Sequence, residues 1–241
     1  MINLLKVDFK SLFKLKAVKW AILGAFVFSI LLSLQSITDK TPAFENFFNG
    51  AIVVNLLSVA VGGLYINNDF SQNTIRNKIV IGYTRTKILF SQVIVVFCFY
   101  LLATLAAWIP AFCINYFMLE TDNVLWEAVT KGILLSIYTL FNNMAITILL
   151  GVSARNATGA ILPVFLAEAI PVAGMLLLEV LSVSDAEQLF NFVKAVPNIA
   201  IMILSPYTVP ENMYLSLITT AVFCCGCLLL GLLTFNQAEL S

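Results

Sequence analysis

Long apolar stretches alternate with short polar breaks along this chain. Six of the stretches, at 18–36, 47–67, 88–118, 128–151, 158–180 and 212–235, are almost uninterrupted by charge. A hydrocarbon core about 30 Å thick takes about 20 apolar residues of helix to cross. The pattern therefore predicts six transmembrane helices. Barrel strands would alternate between lipid-facing and lumen-facing residues, and these runs do not, so the predicted class is an all-α integral membrane protein. The third run is too long for one straight crossing. It predicts a helix that projects beyond the bilayer or bends at Pro110. No repeat or soluble domain interrupts the series, and residues 1–241 read as a single transmembrane domain.

Two segments outside the spans carry patterns of their own. In 1–17, Ile2, Leu5, Phe9, Leu12 and Phe13 recur at three- and four-residue steps, with Lys6, Lys10 and Lys14 on the adjoining face. That predicts an amphipathic helix lying in the headgroup region of the lipid bilayer, its lysines over anionic lipid. The plainer alternative is a basic flank that only sets topology. In 181–211, the apolar run Ala195–Leu204 is bracketed by Pro197 and Pro206. It is too short to cross and too apolar for a free loop, which predicts a re-entrant pair of short helices.

Composition agrees with the pattern. Hydrophobic residues make up 61% of the chain and charged ones 11%, against about 25% charged in soluble domains. Mean hydropathy is +0.97. Net charge is zero, which gives no field to draw in nucleic acid. The five cysteines lie in apolar runs, and with no histidine in the chain they read as small packing groups. The lysine-rich start lacks a small-residue cleavage site and is not expected to be a removable signal.

Charge placement orients the spans. With the N-terminus inside, ten of the thirteen cations fall on the cytoplasmic side: Lys6, Lys10, Lys14, Lys16, Lys19, Arg76, Lys78, Arg85, Lys87 and Arg155. The positive-inside rule then puts both termini in the cytoplasm. Asp39, Glu45, Glu120, Asp122, Glu127, Asp185, Glu187 and Glu211 map to the other side, an acidic outer mouth.

Catalytic patterns are missing from the residues. There is no GxxxxGK[ST] loop for ATP, no HExxH, no GxSxG and no histidine. The aspartates Asp8, Asp39, Asp69, Asp122 and Asp185 lie outside the predicted spans, so paired intramembrane acids are not expected either. The chain reads as no enzyme and as carrying no cofactor or metal. Glu179 lies near the outer end of the fifth span, whereas Glu168 is the exception, near the middle of that span between Pro163 and Pro171. A charge there costs about 2.5–3.5 kcal/mol on insertion scales. It is either a lining or gating group in a translocation path or a neutral carboxyl between helices. Asn55, Asn115, Asn142 and Asn143 read as interhelical hydrogen-bonding groups, and Asn55 and Asn142 join Glu168 as path candidates.

The polar loop 68–87, DFSQNTIRNKIVIGYTRTK after its first residue, is the most specific stretch. It carries Arg76, Lys78, Arg85 and Lys87 against Asp69, and predicts a short amphipathic helix ended by a turn at Gly82. Four cations beside a membrane attract anionic headgroups at about 1 kcal/mol each. Lipid contact, however, needs neither the DFSQNT stretch nor the turn. A protein docking site accounts for both.

The run D-F-x-x-x-T-I-R-N-K-I-x-x-G-x-x-R-x-x-I resembles the second-to-third-span loop of ABC-2 type permeases. There an acid ending the second span is followed by GT-[IL]-[RK]-N and then G-x-[ST]-R-x-x-[IL]. Asp69, Thr74, Ile75, Arg76, Asn77, Gly82, Thr84 and Arg85 stand at those places. Asn73 replaces the glycine before the threonine, and Asn tolerates the left-handed backbone a turn needs. The N-terminal LLKVDFKSLFK, the six spans, the GVSARNATGAI turn and the apolar hairpin before the last span are similar to that family as well.

The resemblance implies an ABC-2, type V exporter-like fold whose coupling loop seats in a separate ABC ATPase subunit. The contact set would be Asp69, Phe70, Thr74, Ile75, Arg76, Asn77, Lys78, Gly82, Tyr83, Thr84, Arg85 and Lys87. It further implies two ATPase copies holding ATP and Mg, and a second permease copy, as a homodimer meeting near spans one and five. Within the family the chain is similar to Gram-positive peptide-exporter permeases, such as phenol-soluble modulin exporters and lantibiotic-immunity transporters. The substrate implied is an amphipathic peptide or another hydrophobic molecule. A stand-alone secondary carrier or channel, and a peptide-binding immunity protein that does not pump, remain the alternatives.

Overall fold

The computed structural model describes residues 1–38, 43–118, 126–154, 157–182, 187–201 and 213–237. Those residues are helical nearly throughout, in ten helices with no strand among them. They are α1 (Ile2–Lys14), α2 (Lys16–Thr38), α3 (Ala43–Ser71), α4 (Thr74–Val80), α5 (Arg85–Met118), α6 (Trp126–Ala154), α7 (Ala157–Ser182), α8 (Glu187–Lys194), α9 (Pro197–Ala200) and α10 (Met213–Asn236). Among the described residues, α2, α5, α6, α7 and α10 each carry a stretch long and apolar enough to cross a membrane. The chain is an all-α, multi-pass membrane protein.

The bundle is arranged around α3, α5 and α6. α2 and α3 pack on α5, α7 packs on α3 and α6, and α10 lies along α6. Tyr65, Phe99, Tyr100, Leu140 and Met144 fill the shared core. In lipid, apolar side chains gain little by leaving their solvent, so close packing and interhelical hydrogen bonds carry the association. Both are present. Tyr100 and Thr147 share a hydrogen bond of 2.8 Å between α5 and α6, and Ser29 on α2 donates to the Ala107 carbonyl on α5 at 2.6 Å. A methyl at Gly62 would collide with the Tyr100 ring, so glycine is what lets α3 approach α5 there.

α5 has 34 residues and continues through Pro110 as one helix. At 1.5 Å per residue it is about 51 Å long, so it projects beyond a core of about 30 Å. The N-terminal helix forms as its periodicity predicts, ending where Leu15 turns extended at φ −66° and ψ 121°. Its inward face is different. Leu4, Asp8 and Leu12 are buried, Leu5 and Phe9 are half-buried, and Ile2 and Phe13 are exposed. α1 packs on α5 along this stripe, and the exposed Lys6, Lys10 and Lys14 stand off it.

The described part of 181–211 holds α8, which precedes the apolar run Ala195–Leu204, and α9 within it, with Pro197 as the first residue of α9. α9 packs against α6 and α7. The expectations for Pro206 and Glu211, and for Asp39, Glu120, Asp122, Arg155 and Asp185, fall outside the described residues.

Candidate functional site

α3 runs past its apolar stretch to Ser71, so Asp69 stands in its last turn rather than in a loop. Asn73 then takes the left-handed conformation at φ 53°, in the place where the resembling family carries glycine. Its N–H bonds the Phe70 carbonyl at 3.1 Å, and its own carbonyl receives the Asn77 N–H. The chain reverses within a few residues and α4 begins.

α4 ends in a Schellman motif. The Gly82 N–H bonds the Ile79 carbonyl at 2.9 Å and the Tyr83 N–H bonds the Lys78 carbonyl at 3.1 Å. Gly82 has φ +100°, which is strained for a residue bearing a Cβ. Two fixed turns thus hold seven residues of helix between α3 and α5.

The inner face of α4 is ionic. Lys78 Nζ lies 2.7 Å from Asp8 Oδ1 and 2.7 Å from Asp69 Oδ2. Asp69 Oδ2 also accepts from Gln92 Nε2 at 3.1 Å, and the other oxygen of Asp8 accepts from the Ser91 hydroxyl. All five side chains are buried. One ammonium faces two carboxylates, so the cluster ties α1, α3, α4 and α5 together around a single cation. Burial pushes the Asp69 carboxyl above the usual carboxylate value, with the Lys78 ammonium pulling the other way. For Lys78, burial disfavours the ammonium, but the two carboxylates outweigh it and hold its pKa above the usual lysine value.

Arg85 is occupied in a second way. Its Nη1 donates to the Phe235 and Asn236 carbonyls at 2.6 and 2.8 Å, and its guanidinium lies 5.9 Å from the centre of the Phe235 ring. These are carbonyls of the last turn of α10, where a cation complements the helix dipole. Phe70 meets the same ring edge-on at 6.1 Å.

The expected contact set therefore divides. Asp69, Ile75 and Lys78 are internal, and Arg85 is spent on α10, so none of the four is a freely presented surface group. Phe70, Thr74 and Tyr83 are half-buried. Arg76, Asn77, Gly82, Thr84 and Lys87 are exposed, and beside them stand two residues outside the expected contact set, Val80 and Ile81, at 80% and 75% exposure. Asp8 lies outside that set too. The signal for it was an acid in the apolar stripe Leu4–Asp8–Leu12, the lone acid among five lysines.

Glu168, Asn55 and Asn142 fall at two neighbouring places. Glu168 and Asn55 meet Thr139, Asn143 and Asn198 around a small cavity of about 20 Å³, room for about one water. Asn142 lies on a larger crevice beyond Asn198. Asn198 joins the two, accepting from Asn142 Nδ2 at 2.9 Å and donating to Asn143 Oδ1 at 2.8 Å. α9 is thereby pinned to α6 by amides. Among the described residues no three carboxylate or thiol groups converge as metal ligands would.

No protein-family model and no curated protein matches the chain.

Proposed function

We propose that the chain is the membrane-spanning permease subunit of an ATP-driven ABC-2 type exporter. On this reading α3 is the sixth crossing and α4 with its flanking turns is the coupling element. Two ABC ATPase subunits supply ATP and Mg, and a second copy of the chain completes a homodimer through α2 and α7, in a bacterial cell membrane with both termini cytoplasmic. The substrate class is an amphipathic peptide or another hydrophobic molecule moving outward.

The observation that carries the reading is the shape of α4. A helix made of TIRNKIV is braced from within by an ion cluster and from its ends by two turns, and presents Arg76, Val80 and Ile81 outward. An exposed apolar pair rimmed by cations is more than lipid attraction requires, and it suits a groove on a protein partner. The internal positions of Asp69 and Lys78 give those motif residues a task that does not require touching the partner. They fix how the outward ones are presented.

A stand-alone carrier is the second reading, favoured by Glu168 at a small polar cavity between α3, α6 and α7. Co-purification separates the two. The tagged chain would be co-expressed with ATPases of its own genome and extracted in mild detergent, alongside Arg76→Glu and a Val80→Asp/Ile81→Asp variant. Retention of an ATPase by the wild type and its loss in both variants, with unchanged melting, is the expected result. An ATPase held equally by all three would remove α4 as the coupling element. No ATPase under any mild condition would transfer the assignment to the carrier.

A further inference from the structure

α7 and α10 both lie along α6, yet they form no packed interface with each other. Between them is a crevice of about 380 Å³. Asn142 and Ile146 of α6 form its floor, Ile170 of α7 and Val222 of α10 its two sides, and Phe192 of α8 and Pro197 of α9 close one end. Val222, Ile218 and Phe192 are exposed on the outside of the bundle, so the crevice opens onto the surface that the membrane covers.

The lining restricts what can enter. None of its described residues is charged, and their polar side chains are already engaged. Asn142 donates to Asn198 and accepts from Cys224 Sγ at 3.6 Å, Asn198 donates to Asn143, and the Thr219 hydroxyl donates to the Ser216 carbonyl. A peptide backbone placed here would bury N–H and C=O groups without partners, each at a cost of several kcal/mol in hydrocarbon. A single hydrocarbon chain needs no hydrogen bonds and is thin enough to lie between two helices.

We propose that this crevice is a binding site for one acyl chain of a membrane lipid, held between α7 and α10 against α6 and bounded by α8 and α9. The chain wedges into the gap that α7 and α10 leave and contacts the short helices whose position Asn198 fixes. The inference rests on the multi-pass membrane architecture and is independent of the ATPase-coupled reading.

The test is photolabelling of the full-length protein in phosphatidylcholine vesicles that include phosphatidylcholine with a diazirine midway along one acyl chain. Irradiation, digestion and mass spectrometry then locate the adducts. Labelling of Ile218, Val222 and Phe192 is expected to exceed that of Val172, Leu176 and Leu229, which are exposed outside the crevice, by about tenfold, the ratio that a 1.4 kcal/mol preference over bulk lipid gives. Val222→Trp and Ile170→Trp, which narrow the crevice from opposite sides, should each abolish that excess and leave labelling of Leu229 unchanged. The wild-type ratio needs no variant, so a misfolded variant does not remove the test. Even labelling of all exposed positions would overturn the proposal. So would an excess that persists in well-folded Val222→Trp protein, or zero-length cross-links at Val222 between two copies.

Discussion

Lys78 and Asp8 stand 2.7 Å apart, on a short helix between two long ones and on the N-terminal helix. With Asp69 at the same distance on the other side, the pair makes the N-terminal segment part of the loop. A displacement of α4 must therefore break a buried ionic contact or carry α1 with it. Such a contact is costly to open by halves, because a charge left alone in a dry site keeps its desolvation penalty without its partner.

Lys78→Met leaves Asp8 and Asp69 buried without a cation, and is expected to destabilise the protein by about 3–5 kcal/mol, the usual cost of breaking a buried pair from one side. Adding Asp8→Asn and Asp69→Asn to that variant should recover most of the loss. Thermal melting in detergent checks both steps, and a triple variant no more stable than the single one would contradict the account.

The same cluster sets a pH dependence. Asp69 is held above its ordinary value of 3.8 by burial, and Lys78 above 10.5 by its two carboxylates against the opposing effect of burial. Both folded-state values are raised, so each contribution is complete below the unfolded value and is lost as pH rises through the folded one. For Asp69, acidification from neutral towards 3.8 is therefore stabilising. For Lys78, stability is lost above 10.5. Melting curves across both ranges should show an acid-side gain that Asp69→Asn lacks and an alkaline loss that Lys78→Met lacks. Wild type and Asp69→Asn running parallel on the acid side would refute the assignment.

Arg85→Ala removes two hydrogen bonds from the last carbonyls of α10 and should cost about 1–2 kcal/mol. Hydrogen exchange at residues 233–237 is the sensitive readout, with faster exchange in Arg85→Ala and partial protection in Arg85→Lys, which keeps the charge and loses the fork. If exchange there is unchanged, the guanidinium is not what holds that helix end.

The α9 dock makes a steric prediction. A methyl added at Gly174 would fall on Cγ1 and Cδ1 of Ile199, so Gly174→Ala should destabilise by about 1–3 kcal/mol, as overpacking does. Ile199→Ala in the same chain should relieve it. Asn198→Leu strands the Asn142 and Asn143 amides and is expected to cost about 1–3 kcal/mol. A double variant Gly174→Ala/Ile199→Ala melting below both single variants would place the clash elsewhere.

Hydropathy and spacing by themselves determined the all-α membrane class, long apolar helices of which five of the expected six are crossing-competent among the described residues, the amphipathic first helix and the short helix before Gly82. These are local properties. The length of an apolar run, the step between apolar residues and the backbone tolerance of Asn or Gly need no knowledge of distant residues. Tertiary structure alone decided which cations of the basic loop face outward. Arg76, Lys78, Arg85 and Lys87 look alike in the sequence, yet Lys78 is buried against Asp8, Arg85 caps α10, and Arg76 and Lys87 are exposed. The partners of the first two lie far along the chain, and no periodicity encodes such a pairing. The same holds for Asn142, Asn143 and Asn198, whose amides meet only because α9 folds back onto α6, and for the crevice between α7 and α10. A space between helices is a property of their packing, and it exists only once all of them are assembled.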